Sequence, residues 1–535
     1  MTRFLSLNAL DIRKGLVLLA CLAATIACSW ATDVATYHNE NTRSGLNNKE
    51  TILTTANVNS SSFGKVLTIP VDGVIDAEPL YLSGVSISGV THNVLYIVTE
   101  NDSVYAVDAD SGTVLWQIST LQSGEKPSGT FGCSQISPQI GITSTPVIDR
   151  ASGPNGTLYV VAMSVKGSTY YQRIHALDMT TGAEEFGGPV AVQAQYPGTG
   201  DNSHHGMVIF DPKQYAERQG LLLLKRVIYT AWTSHCDERP YTGWLIGYNE
   251  STLKQTSVLN VTPNGNEGSI WQAGAGIASD GSYIYFNDAN GTFDTTLNSQ
   301  GFPENGDYGN GIIKVSPNNN QLTVVDYFNM YDTVDESNSD EDLGSGGLMI
   351  LPPMVDSGGI TRNLAVSAGK DGNIYIVDRT NMGKFNPTTD QIYQEIDGAL
   401  NGGMWAAPAR FGNSLYFGPQ GNNLMQFKFS QAKLSTSPIT KTAKTFQYPG
   451  TTPSVSANAS SNGIVWAIEH TDPNDVLHAY DATNLAKELY NSNQASGSRD
   501  HLGQASHFGT PMIVNGKVYV GTTTSVIVYG LLSSR

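Results

Sequence analysis

The sequence predicts an all-β protein, an eight-bladed β-propeller closed by an N-terminal strand. Three observations carry that expectation. A unit of strand, turn, strand, Asp/Asn-Gly or Asp-Ser-Gly turn, strand recurs along the 535 residues, and a repeat of this length marks a radial or solenoid array. Only 14% of residues are charged while 55 are glycine, which favours short strands and tight turns over helices. Short strand-like pieces such as "STPVID", "AAPARF" and "GTPMIV" precede the units, giving the four strands that a blade requires.

In chain order, residues 1–31 read as a secretory signal. Arg3, Arg13 and Lys14 precede the apolar run "GLVLLACLAATIA", and Ser29-Trp30-Ala31 offers small residues for cleavage after Ala31. The run is too short to span a bilayer, and nothing later is longer. Residues 32–535 are then expected to be a single propeller, extracellular or periplasmic. "SFGKVLTIPV" (62–71) resembles an orphan outer strand. Eight copies of the unit follow at 94–118, 157–186, 227–255, 283–325, 364–385, 414–434, 463–490 and 517–531, and the last stops without its outer strand. Pairing of 62–71 with that copy would close the ring and remove open edges.

Composition also excludes partners. With 30 Lys plus Arg against 47 Asp plus Glu, neither nucleic acid nor an anionic membrane finds the basic patch it needs. No CxxCH occurs, so the chain attaches no c-type haem. Once Cys21 and Cys28 leave with the signal, Cys133 and Cys236 remain, and an even pair in an oxidising compartment is most simply one disulfide. Seven Asn-x-Ser/Thr sequons are glycan acceptors if the host glycosylates.

Radial symmetry brings equivalent loops of all blades to one central funnel. Asp76, Glu78, Thr145, His205, Trp271, Trp405 and His507 fall at such positions. Each has the alternative of lining a channel and meeting only water.

The units resemble the pyrroloquinoline quinone repeat, and residues 227–385 resemble the cofactor half of the quinoprotein alcohol dehydrogenases. That resemblance implies a quinone and a calcium ion (Ca2+) held on the propeller axis. In "SIWQAGAGIASDGSYIYFNDANG" (269–291), it implies Trp271 as the floor under the quinone and Asn290 as a calcium ligand. An indole face suits a flat conjugated ring and an amide oxygen suits a hard cation; core packing and an Asn-Gly turn are the alternatives. In "SHCDERPYTGW" (234–244), it implies Glu238, five residues before Gly243, as a calcium ligand, against a solvated loop.

In "SDEDLGSGGLMILP" (339–352), the resemblance implies Asp342, or less closely Asp340, as the base that takes the substrate's hydroxyl proton, with Asp342 also near the metal. The family's Trp beside this Asp is missing, and an exposed acidic loop reads equally from the three acids. In "SAGKDGNIYIVDRTNMG" (367–383), Asp371-Gly372 reads as a tight turn between strands, and the resemblance gives Lys370 a quinone-contacting role. The family's paired adjacent cysteines are absent, since Ser134 follows Cys133. The implied activity is oxidation of an alcohol or sugar hydroxyl, with electrons passing to a separate acceptor. A non-catalytic extracellular propeller that binds carbohydrate or protein is the alternative.

Overall fold

The computed structural model describes residues 32–533; the expected signal, residues 1–31, lies outside the described residues. Among the described residues, eight sheets carry four or five strands each, with two smaller sheets beside them, and one short α-helix spans Thr333–Ser339. No helix among them is long and apolar enough to cross a membrane. Each of the eight sheets has an antiparallel core built on one repeat, and one of them adds the short strand Leu46–Asn47 in parallel to Ser454–Asn458. The first runs Leu80–Ile87, Val90–Val98, Ser103–Asp108 and Val114–Ser119. The predicted lead-in pieces are real strands, Val147–Asp149, Ala409–Phe411 and Met512–Val514 among them.

The last repeat, Lys517–Gly521 and Ser525–Leu531, takes its fourth strand from Phe63–Pro70, which pairs antiparallel with Ser525–Leu531. Phe63 is fully buried between Trp466, Tyr490 and Tyr529. Its ring anchors this early strand to the end of the chain.

Why every inner strand is apolar on both faces follows from how neighbouring sheets stack. In Ile374–Asp378, Ile374 and Ile376 pack with Leu415, Phe417 and Phe427 of the next sheet, while Tyr375 and Val377 pack with Tyr285, Ile312 and Phe328 of the preceding one. Period-two alternation therefore sorts side chains into two cores rather than into core and solvent. The hairpin also differs from the tight turn expected. Ala368 pairs with Ile374, leaving a five-residue loop from Gly369 to Asn373 with Lys370 inside it.

One N-terminal residue ties several sheets together. Arg43 is wholly buried and donates to the carbonyl oxygens of Ile277 (2.9 Å), Tyr37 (2.8 Å) and Leu221 (3.3 Å) and to Thr36 Oγ1 (2.8 Å). Burial lowers its pKa to about 10, which still leaves it charged at neutral pH. Arg43→Met fills the space but strands buried acceptors, each costing about 1–3 kcal/mol. We expect the variant to lose about 3 kcal/mol in urea unfolding; an unchanged midpoint would show these bonds to be dispensable.

His205 does not join the funnel. Residues Gln195–Pro197, Ser203–His204 and Met207–Ile209 form their own three-stranded sheet, and His205 stands exposed in its turn against His204. An insertion before the third large sheet carries it away from the other loops.

Candidate functional site

Loops that enter each sheet, and loops between its second and third strands, gather several of the predicted residues at one cavity. A narrow cavity of about 40 Å³ is walled by Trp271, Asn290, Asp342, Lys370, Arg218 and the bridge between Cys133 and Cys236. Lys370 turns inward. Its backbone N–H donates to the Asp342 carbonyl oxygen (3.0 Å), and its Nζ donates to Asp342 Oδ1 (2.7 Å) and to Asp340 Oδ1. The loop can approach so closely because residue 369 is glycine; a Cβ there would stand 2.5 Å from Leu343 Cα and 2.7 Å from the Asp342 carbonyl oxygen.

Asp342 is buried to 1% and its Oδ2 has no hydrogen-bond partner. Burial pushes its pKa up to about 6, against the opposing pull of Lys370. For Lys370 the balance falls the other way: burial works against its charge, but Asp342 and Asp340 outweigh it and raise its pKa. Asp340 differs from Asp342 in environment. It caps the short helix in a left-handed conformation, its side chain is 69% exposed, and it ties Asn290 Nδ2 (2.7 Å) to Lys370. A solvated acid already engaged by two donors is a poor base; between the two candidates, geometry favours Asp342.

Asn290 is 8% exposed, and with Nδ2 held by Asp340 its Oδ1 is left without a donor. Trp271 precedes a one-turn helix, Gln272–Gly274; its ring lies 5.8 Å from Lys370 Nζ and meets Phe508 edge-on at 6.1 Å. The disulfide expected between Cys133 and Cys236 is present, with Cα atoms 5.6 Å apart, and joins loops of consecutive large sheets across the cavity.

Glu238 does not reach this site. It lies exposed in the loop beyond Cys236, and its neighbour Asp237 lines the cavity instead. The reason is local: Asp237 Oδ1 accepts from Ser234 Oγ (3.1 Å) and Tyr241 hydroxyl (2.8 Å), fixing the loop so that the next side chain faces solvent. Counting back from Gly243 therefore selected a residue on the outer side of the turn.

Two buried residues near the cavity escaped sequence reasoning. Arg218 follows the strand Tyr215–Glu217; its side chain is 3% exposed, its Nη1 lies 3.9 Å from Asp76 Oδ1 as a buried ion pair, and its guanidinium lies 4.8 Å from the Phe508 ring. It also borders a small crevice with Asp76, Glu78, Thr145 and Phe508, so three of the predicted funnel residues meet there. Burial raises Glu78 to about 8. Asp288, wholly buried with both carboxylate oxygens unpartnered, stands behind Asp342; burial holds its pKa well above the ordinary range. Neither Arg218 nor Asp288 lies in a turn motif that would have singled it out.

Comparison with known proteins agrees with the repeat. The family model described as "Outer membrane protein assembly factor BamB" (PQQ_2) matches residues 100–197, a stretch that holds Cys133 but none of Trp271, Asn290, Asp342 or Lys370. No curated protein matches the chain by sequence. Among solved structures, quinohemoprotein alcohol dehydrogenase from Comamonas testosteroni aligns with TM-score 0.61 at 14% identity, covering 94% of this chain and 81% of that one. Quinohemoprotein alcohol dehydrogenase ADHIIG from Pseudomonas putida HK5 aligns with TM-score 0.61 at 12% identity over the same shares. A europium-containing methanol dehydrogenase aligns with TM-score 0.57 at 12% identity, covering 94% of this chain and 98% of that one. At such identities the likeness is one of fold. In repeat and fold, the protein is a β-propeller of the PQQ-repeat kind that resembles the quinoprotein alcohol dehydrogenases.

Proposed function

We propose that this protein is an exported oxidoreductase that holds pyrroloquinoline quinone against Trp271 and oxidises an alcohol or sugar hydroxyl, passing electrons to a separate acceptor. In this reading the eight large sheets are eight blades around one axis, Phe63–Pro70 closes the ring, and residues 1–31 are removed on export. The observation that carries it is the meeting of Trp271, Asn290, Asp342 and Lys370 on one cavity, in the order the family resemblance implies.

The side chains that wall the cavity suit a flat anionic quinone, which would have to widen it to enter. Trp271 offers an indole face, and Lys370 and Arg218 supply positive charge. Calcium would be held by Asn290 Oδ1 and the Asp342 carboxylate, and would act as a Lewis acid. Calcium takes six to eight oxygens, and among the described residues no group of three or more His, Cys, Asp or Glu gathers for a metal. Most of its ligands would then come from the quinone and water, so calcium alone should bind weakly.

Asp342 Oδ2, unpartnered and buried, receives the substrate's hydroxyl proton. A bound quinone would supply the two-electron acceptor that oxidation of the alcohol to a carbonyl requires. Lys370 keeps Asp342 Oδ1 fixed, which leaves Oδ2 as the free acceptor, and places positive charge where negative charge develops. The disulfide and its loops exclude water from one side.

Titrating the purified protein with the quinone, with and without calcium, tests the reading. Micromolar binding with a red-shifted absorbance, and dye-linked oxidation of alcohols or sugars, are expected. Calcium without quinone should leave the melting temperature unchanged. No binding at micromolar quinone would overturn the oxidoreductase reading. The outward position of Glu238 favours the alternative, a propeller that binds extracellular carbohydrate or protein without chemistry.

A further inference from the structure

A circuit of rings leads away from Trp271, which meets Phe508 edge-on. Phe508 leads to His507 at 6.3 Å, His507 to Tyr448 at 6.2 Å, and Tyr448 to Trp405 at 5.6 Å with the planes at 70°. Trp405 brings the circuit back to the site. A Cβ on Gly403 would stand 2.5 Å from the indole and 3.0 Å from the Lys370 carbonyl oxygen, so the ring lies against the loop that carries the cation. Tyr448 faces the same charges: burial raises its pKa, while Arg218 and Lys370 pull it down.

Exposure and polarity change together along the circuit. Phe508, the inner ring, is 7% exposed and apolar. Trp405 is half-buried, Tyr448 is 40% exposed and His507 is exposed, and all three carry a polar edge. The indole N–H, the phenol and the imidazole take no hydrogen bond from any described residue. Three clustered aromatic rings with free polar edges, left open to water beside the loop that carries Lys370, mark a binding surface.

We propose that this rim binds a pyranose sugar, with the C–H face of the ring on Trp405 or Tyr448 and its hydroxyls taken by Tyr448 and His507. The proposal rests on the oxidoreductase reading only in making that sugar the substrate presented to Asp342. A small aliphatic alcohol has no use for exposed, polar-tipped rings. A planar aryl alcohol would favour parallel walls, whereas walls at 70° offer one face for stacking and a second for the hydroxyl edge of a chair.

Calorimetric titration of the protein without quinone, using an aldohexose, should show saturable binding. Trp405→Ala and Tyr448→Ala should each weaken it about tenfold or more, and Trp405→Phe, which keeps a stacking face, should recover most of it. Quinone affinity of these variants, read by absorbance, should stay within about twofold of the parent. In the quinone-loaded protein, Trp405→Ala should raise KM for the aldohexose by about tenfold and change kcat little. Absence of sugar binding, equal affinity in the alanine variants, or tighter binding of benzyl alcohol at the same rim would overturn the proposal. Sugar binding without quinone binding would retain the rim and reject the oxidoreductase reading; quinone binding without sugar binding would do the reverse.

Discussion

Asp342→Asn in the quinone-loaded protein should lower kcat by about 10³-fold, within the 10²–10⁴ range that a positioned base contributes. The amide keeps the size of the side chain but offers no basic oxygen. The pH profile separates lost chemistry from lost folding. Parent activity should rise with pH through about 6, where burial has placed the Asp342 pKa, because only the ionised form accepts a proton. Residual activity in the variant should show no such step. Asp340→Asn, which alters an exposed partner of Lys370, should cost less than about tenfold. Equal losses in the two variants would show that Asp342 has no special role as base.

The same residue sets a trend in stability. Its folded pKa lies above the ordinary 3.8, so the folded state binds this proton more tightly than the unfolded chain. That contribution is complete below about 3.8 and is lost as pH rises through about 6. Urea midpoints of Asp342→Asn should therefore fall less between pH 4 and 7 than those of the parent. A parallel pH dependence in the two proteins would contradict the shift.

Replacing Cys133 and Cys236 together by serine should cost about 4–5 kcal/mol, since the bridge closes a loop across a sequence separation of 103 residues and a loop of about 100 residues corresponds to roughly 4.7 kcal/mol of chain entropy. Urea unfolding of parent and variant measures the difference. The functional consequence is separate. The bridge walls the cavity opposite Asn290 and Asp342, so its loss should weaken quinone binding even at temperatures where the fold is intact. Unaltered unfolding after removal of both cysteines would mean that packing of the two loops, not the covalent link, holds them in register.

Much of this architecture is legible one residue at a time. The strand Ile374–Asp378 is apolar over its first four positions, and its repeat neighbours mark where each sheet begins and ends. The pairing of Phe63–Pro70 with the last repeat follows from counting strands, because an incomplete final unit and an orphan early strand have complementary needs. The disulfide follows from having two cysteines left. Trp271, Asn290, Asp342 and Lys370 are visible in the sequence through the resemblance of their segments to the quinoprotein alcohol dehydrogenases.

Glu238 and Asp237 show where such reasoning stops. Adjacent residues in a loop point to opposite sides, and which one faces the cavity depends on bonds to Ser234 and Tyr241. Arg218, Asp288 and Tyr448 are likewise invisible, because what surrounds them comes from loops distant along the chain, whereas Trp405 and His507 fall at funnel positions that the repeat marks. By itself, the sequence determined the repeat, the strand count and the loops available for a site, since these depend on local periodicity and turn chemistry. Only the tertiary structure decided which carboxylate is buried beside Lys370, which is solvated, and which rings cluster beside the Lys370 loop, because burial and electrostatic environment arise from contacts between loops distant along the chain.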